Sequence, residues 1–159
     1  MHESFRQGAP AALWQALVQE AAQRLGRPLD VSREHYLVFV LLRYQRDAQL
    51  LARTQALAWL HAQEQVGGAR ADALREVGDS CLLIAGLFPG LAARRRVSVD
   101  YFIDLGRGAY HAVAETRASD AELFEQLARS YRDLVVTLGA LRPPRRTLAA
   151  TETTLHFQG

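Results

Sequence analysis

Asp104, His111 and Glu115 recur at helical spacing within "VDYFIDLGRGAYHAVAE", residues 99–115. They are oxygen and imidazole donors that could hold a metal ion or exchange protons. At about 100° per residue they fall with Asp100 and Gly108 on one polar stripe. His111 and Glu115 lie one turn apart, a spacing that suits shared coordination. The sharper metal-helix signatures, His-Glu-x-x-His or paired Glu-x-x-His, are absent. The stripe therefore reads first as a solvated or interface-lining face, and no metal is expected. Asp79, Tyr101, Asp104 and His111 define an alternative: a small-ligand or catalytic pocket with converging polar groups.

A second group is the run Arg94, Arg95, Arg96, which follows "GLFPG" and precedes Ser98. A phosphate-binding Walker loop needs a lysine and a following hydroxyl, and both are missing here. Gly86, Pro89 and Gly90 suit the end of one helix, with the arginines near its carboxyl end, where cations are favoured. The same arginines, beside the free N–H groups of a helix starting at Ser98, could grip an anion or an acidic partner. With Arg142, Arg145 and Arg146 they also define a nucleic-acid reading, which a net charge of +2 does little to support. All 19 basic residues are arginine. A GC-rich genome accounts for that more simply than selection for guanidinium forks.

The remaining candidates are single residues. Cys81, the lone cysteine, sits on the apolar stripe of its helix and reads as a buried, inert thiol, because a reactive one wants an exposed, electropositive setting. His35 and His61 lie on apolar faces and read as core or boundary histidines; Trp14 and Trp59 read as core. No nucleophile elbow, dinucleotide fingerprint or calcium loop is present, so no cofactor is expected.

The elements that must position these residues are helical. With 159 residues and 49% hydrophobic residues the chain is expected to be one soluble domain. Its longest apolar run, "YLVFVLL", has seven residues where a bilayer span needs about 20. The amino-terminal residues lack a secretory pattern, so the expected compartment is the cytoplasm. The first helix is expected to open at Pro10 and close at Gly26, and the second to be capped by Ser32 and lie centrally. The third covers about 47–66, with Leu50, Leu51, Leu57, Ala58 and His61 on one side. The fourth carries Leu74, Val77, Cys81, Ile84, Ala85 and Phe88, and Ser98 caps the fifth. The capping box "SDAE", residues 119–122, opens a sixth bearing Phe124, Leu127, Tyr131, Leu134 and Leu138. Residues 36–42 and 97–103 could instead pair as strands, but no third strand completes a sheet.

Gly106 and Gly108 cost the fifth helix about 1 kcal/mol each relative to alanine. That cost calls for close approach by a neighbouring helix or a second subunit. The stripe Phe102, Leu105, Ala109, Ala112 and Val113 leaves Ile103, Arg107 and Tyr110 facing outward, so a homodimer contact is preferred there.

Residues 74–115 also carry Gly78, Asp79, Phe88, Pro89, Arg95, Arg96, Tyr101, Gly106, Ala109 and Tyr110 in one order. This order resembles a set of uncharacterised bacterial proteins with a Gly-Asp, an apolar helix, a Phe-Pro turn, Arg-Arg, Tyr-Tyr and a Gly…Ala-Tyr helix. Phe102 stands where that pattern has its second tyrosine. The resemblance covers about half the chain when "HYLVFVLL" is included. It implies a bacterial, soluble, helical domain and supplies no catalytic residue.

The expectation is an all-α bundle of about six helices over residues 10–142, with flexible segments at 1–9 and 143–159. Its expected role is a non-enzymatic interaction or assembly module, a homodimer in preference to a monomer. Two surfaces would carry it: the Arg94–Arg96 corner and the patch of Ile103, Arg107 and Tyr110.

Overall fold

The computed structural model describes residues 2–142, with side chains from Pro10 onward except that of Ala48. The segment 143–159, expected to be a flexible tail and holding Arg145 and Arg146, lies outside the described residues. The fold is all-α. Eight α-helices and two short 3₁₀ turns make up the described residues, and no strand occurs among them. Of the two stretches that might have paired as strands, 36–42 lies within a helix and 97–103 is helical from Val99 onward. The chain divides into two compact units: Arg53–Gly139, and the remainder, of which residues 2–52 and 140–142 are described.

The first unit holds α1 (His2–Leu25) and α2 (Val31–Arg46). α1 runs through Pro10 instead of starting there; the ring removes one N–H from the helical ladder, and the turns on either side continue. Its end is as expected. Gly26 takes φ 66°, and the N–H of Arg27 reaches the carbonyl of Ala22 at 3.0 Å, a closing turn that favours glycine. Asp30, not Ser32, caps α2, accepting the N–H of Arg33 at 2.9 Å. Trp14, Val18 and Ala21 of α1 are buried, as are Tyr36, Leu37, Val40 and Leu41 of α2. Trp14 also donates from Nε1 to Oε1 of Gln45 at 3.0 Å. His35 is exposed, against the expectation of a core or boundary position.

The second unit is organised around α4 (Gly67–Leu87), against which α3 (Gln55–Glu64), α5 (Pro89–Arg94), α6 (Val99–Thr116) and α8 (Tyr131–Gly139) pack. Every residue from Val77 to Gly86 is buried, as the apolar circumference of this segment dictates. α4 does not pass straight into the arginine corner. The N–H of Phe88 closes it on the carbonyls of Leu83 and Ile84, and Pro89 opens the separate six-residue α5. The arginines therefore end α5, not α4.

The expected sixth helix is two. α7 (Ala121–Arg129) and α8 are separated at Ser130, whose Oγ donates back to the carbonyl of Gln126 at 2.7 Å, a side-chain bond of the kind that bends helices. No side chain caps α7; a 3₁₀ turn, Ala118–Asp120, occupies the place of the proposed capping box. Ser98 does cap α6, accepting the N–H of Tyr101 at 3.1 Å.

Candidate functional site

Asp79 is fully buried on α4. Burying a carboxyl group is costly unless hydrogen bonds replace water. Tyr110, also fully buried and one helix away on α6, donates its hydroxyl to Oδ1 of Asp79 at 2.7 Å. Tyr131, at the start of α8, donates to the carbonyl of Gly78 at 2.8 Å. The three aromatic rings Tyr110, Tyr131 and Phe124 meet edge to face, with centroids 5.3–5.4 Å from that of Tyr110.

Two glycines make room for this cluster. A Cβ on Gly78 would fall on the ring of Tyr110. A Cβ on Gly106 would fall on the hydroxyl of Tyr131 and lie 2.9 Å from Cβ of Cys81. Gly106 thus marks close approach within the chain, the internal alternative to the preferred homodimer contact. Gly108 meets nothing within 4 Å.

This packing also corrects the phase expected for α6. Ile103 and Tyr110 are not outward residues; both are buried, with Phe102, Gly106, Ala109 and Val113. α6 is enclosed by α4 on one side and α7 on another, so its buried arc is wider than one stripe and centres on Gly106. Of the expected patch only Arg107 keeps part of its surface.

Asp79 therefore does not share a pocket with Tyr101, Asp104 and His111. Those three are exposed on the opposite, polar side of α6, together with Asp100 and Glu115. Asp100 pairs with Arg132 at 3.1 Å. Among the described residues no three His, Cys, Asp or Glu side chains are placed to hold a metal ion. Cys81 is buried, and burial pushes its thiol far above the ordinary value, away from the nucleophilic thiolate.

The arginine corner is divided in its roles. Arg94 and Arg96 are exposed. Arg96 takes φ 57°, a left-handed conformation that closes α5 as the N–H of Val97 reaches the carbonyl of Ala92 at 3.0 Å. Arg95 turns inward. It donates to Oε1 of the buried Gln55 at 2.7 Å and to the carbonyl of Arg53 at 3.4 Å, fastening the start of α3. Burial, then the charge of Arg94, draws its guanidinium below the ordinary value. Arg142 is exposed in the first unit. A further clamp is Arg117, which donates to Asp72 at 3.0 Å and to the carbonyl of Gly68 at 3.1 Å, joining the end of α6 to the start of α4.

α3 differs from the rest of its unit. Gln55 and Ala62 are buried against α4, while Leu57 and Leu60 are 64% and 59% exposed. His61, expected on an apolar face, is exposed as well, and Trp59 is half-buried. Arg53, just ahead of α3, and Glu64, at its end, are also exposed. The expected side of 47–66 assumed one helix; the break between Leu51 and Gln55 resets the phase and turns Leu57 outward. Two leucines three residues apart, flanked by an arginine and a glutamate, are the signal that could have marked this face.

Among the described residues, no helix is long and apolar enough to cross a membrane. The chain matches no protein-family model, no curated protein and no solved structure.

Proposed function

We propose that the protein is an assembly module that works by binding, not by catalysis, and that it self-associates through the outer face of α3. The observation that carries this reading is the exposure of Leu57 and Leu60 on one short helix. Elsewhere in the same unit Leu74, Leu82, Leu83, Leu127, Leu134 and Leu138 are all fully buried. A single exposed leucine says little, whereas a contiguous apolar face edged by charge is the usual mark of a contact surface. Arg95 contributes by holding the start of α3 in place, and Arg94 and Arg96 remain available to an acidic partner. The lone thiol, Cys81, suits a cytoplasmic setting. The residues behind the bacterial resemblance, among them Gly78, Asp79, Gly106 and Tyr110, build the tyrosine–glycine core, which supports reading that resemblance as one of fold.

A contact made of two leucines from each copy is small, so the pair is weak and concentration-dependent. Sedimentation from about 10 μM to 1 mM should show the mass rise from one chain toward two. The double substitution Leu57→Glu, Leu60→Glu should hold it at one chain with an unchanged circular dichroism spectrum. A wild-type chain that stays monomeric throughout, or a variant that associates as well as wild type, overturns the proposal.

A further inference from the structure

We infer that the corner after α5 docks an acidic segment of a partner protein, with Arg94 and Arg96 as the side chains that grip its carboxylates. The inference extends the binding reading above to a second surface and does not depend on pairing through α3.

The fold itself has no use for these two guanidinium groups. Cations near the end of a helix usually serve its last carbonyls. Here backbone groups already do so: the N–H of Arg95 donates to the carbonyl of Leu91 at 3.0 Å, that of Val97 to Ala92 at 3.0 Å, and that of Arg96 to Ala93 at 3.1 Å. Arg95 turns its side chain inward to Gln55 and the carbonyl of Arg53. Among the described residues, Arg94 and Arg96 make no ion pair and no side-chain hydrogen bond.

Arg96 carries the stronger sign. Among the described residues it is the one residue other than glycine with a positive φ, at 57°. At the other two such positions, φ 66° and 58°, the chain places Gly26 and Gly67. A Cβ is disfavoured in that conformation. An uncommon backbone at a residue whose side chain has no partner inside the fold points to a role outside it.

The acids around the corner are engaged elsewhere. Glu76 pairs with Arg53 at 3.9 Å, and Asp100, just beyond Arg96 in sequence, pairs with Arg132 at 3.1 Å. Arg94 stands close enough to Arg95 for its charge to act on that guanidinium, so like charges crowd here. Guanidinium forks match carboxylates. Both free arginines are exposed, and an exposed pair is worth little singly, so the grip requires several carboxylates on one segment. A net charge of +2 gives nucleic acid no wider basic footprint.

The test is fluorescence anisotropy with a labelled oligoglutamate peptide, titrated with the full-length chain in low-salt buffer. Wild type should bind the peptide. Arg94→Gln and Arg96→Gly should each weaken binding by about three- to fivefold. Arg129→Gln removes the same charge from an exposed site on α7 and should leave binding unchanged. Arg96→Gly should also raise the thermal midpoint by a few degrees, because glycine suits the left-handed turn. No binding by wild type, or a loss with Arg129→Gln equal to that with Arg96→Gly, overturns the inference. A lower midpoint for Arg96→Gly overturns it too, by making Arg96 a structural residue. A single-stranded oligonucleotide of equal charge that binds more tightly than the peptide, and is lost in the same two variants, assigns the corner to nucleic acid instead. The assay does not read α3 pairing. If sedimentation shows only single chains while the peptide still binds through Arg94 and Arg96, the self-association reading fails and this one stands.

Discussion

The interior formed by α4, α6 and α8 and the outer face of α3 belong to the same compact unit yet use their residues in opposite ways. In the interior the polar groups are turned inward: Asp79 accepts from Tyr110, Tyr131 donates to the carbonyl of Gly78, and Ser80 donates to the carbonyl of Glu76. On α3 two leucines, Leu57 and Leu60, are turned outward, while the polar Gln55 is buried. The residue types most suggestive of chemistry thus serve stability, and residues with no chemistry form the exposed face. Exposure and pairing, more than residue type, distinguish a structural role from an interactive one.

Substitutions should separate the two regions, and the largest effects belong to the interior. Gly106→Ala and Gly78→Ala force a Cβ into a tyrosine that is itself fully buried. Each should cost about 2 kcal/mol net, overpacking outweighing the gain in helix propensity, as read from urea unfolding. Tyr110→Phe takes from the buried Asp79 one of its hydrogen bonds and should cost about 1–3 kcal/mol while leaving self-association intact. Arg95→Met joins the regions: it leaves the buried Gln55 without its 2.7 Å donor. It should cost about 1 kcal/mol and raise amide exchange selectively in α3. At the small end, Gly108→Ala enters open space and should stabilise by up to about 1 kcal/mol. Leu57→Glu should move stability by less than about 0.5 kcal/mol and yet weaken association. A Gly108→Ala loss as large as that of Gly106→Ala would remove the contrast between a filled and an open glycine site.

A pH-dependent term lies in the first unit, at the start of α2. The backbone N–H of Arg33, aided by its side chain, holds the Asp30 carboxyl below its ordinary value of 3.8, against a smaller opposing effect of burial. A carboxyl whose pKa is lower when folded stabilises the fold fully above its unfolded pKa and stops doing so as pH falls through the folded value. Asp30→Ala should therefore destabilise by about 1 kcal/mol near neutrality. The gap from wild type should close on acidification below the ordinary carboxylate range.

Much of the architecture was legible from pattern alone. The helical class, the Ser98 cap, the Gly26 stop and the stripe Phe124, Leu127, Tyr131, Leu134, Leu138 follow from periodicity and terminal residues. What escaped is what depends on distant neighbours. Nothing local couples Asp79 to Tyr110, 31 residues away. α6 was assigned the wrong phase because a single stripe was sought on a helix enclosed by both α4 and α7. The break at Ser130 hides inside an unbroken apolar pattern, since the register of buried residues continues across it. Leu57 was misplaced for the converse reason: the turn ahead of α3 shifts the phase, although leucines occur on both sides of it.

The most direct test of the outer face of α3 as the contact surface is isotope-filtered NOE spectroscopy on an equal mixture of ¹³C-labelled and unlabelled chains at high concentration. Only contacts between copies give signal. The methyl groups of Leu57 and Leu60 should show cross-peaks to α3 protons of the other copy, while those of Leu82 and Leu134 show none. Intermolecular signals arising elsewhere, with Leu57 and Leu60 silent, would contradict it.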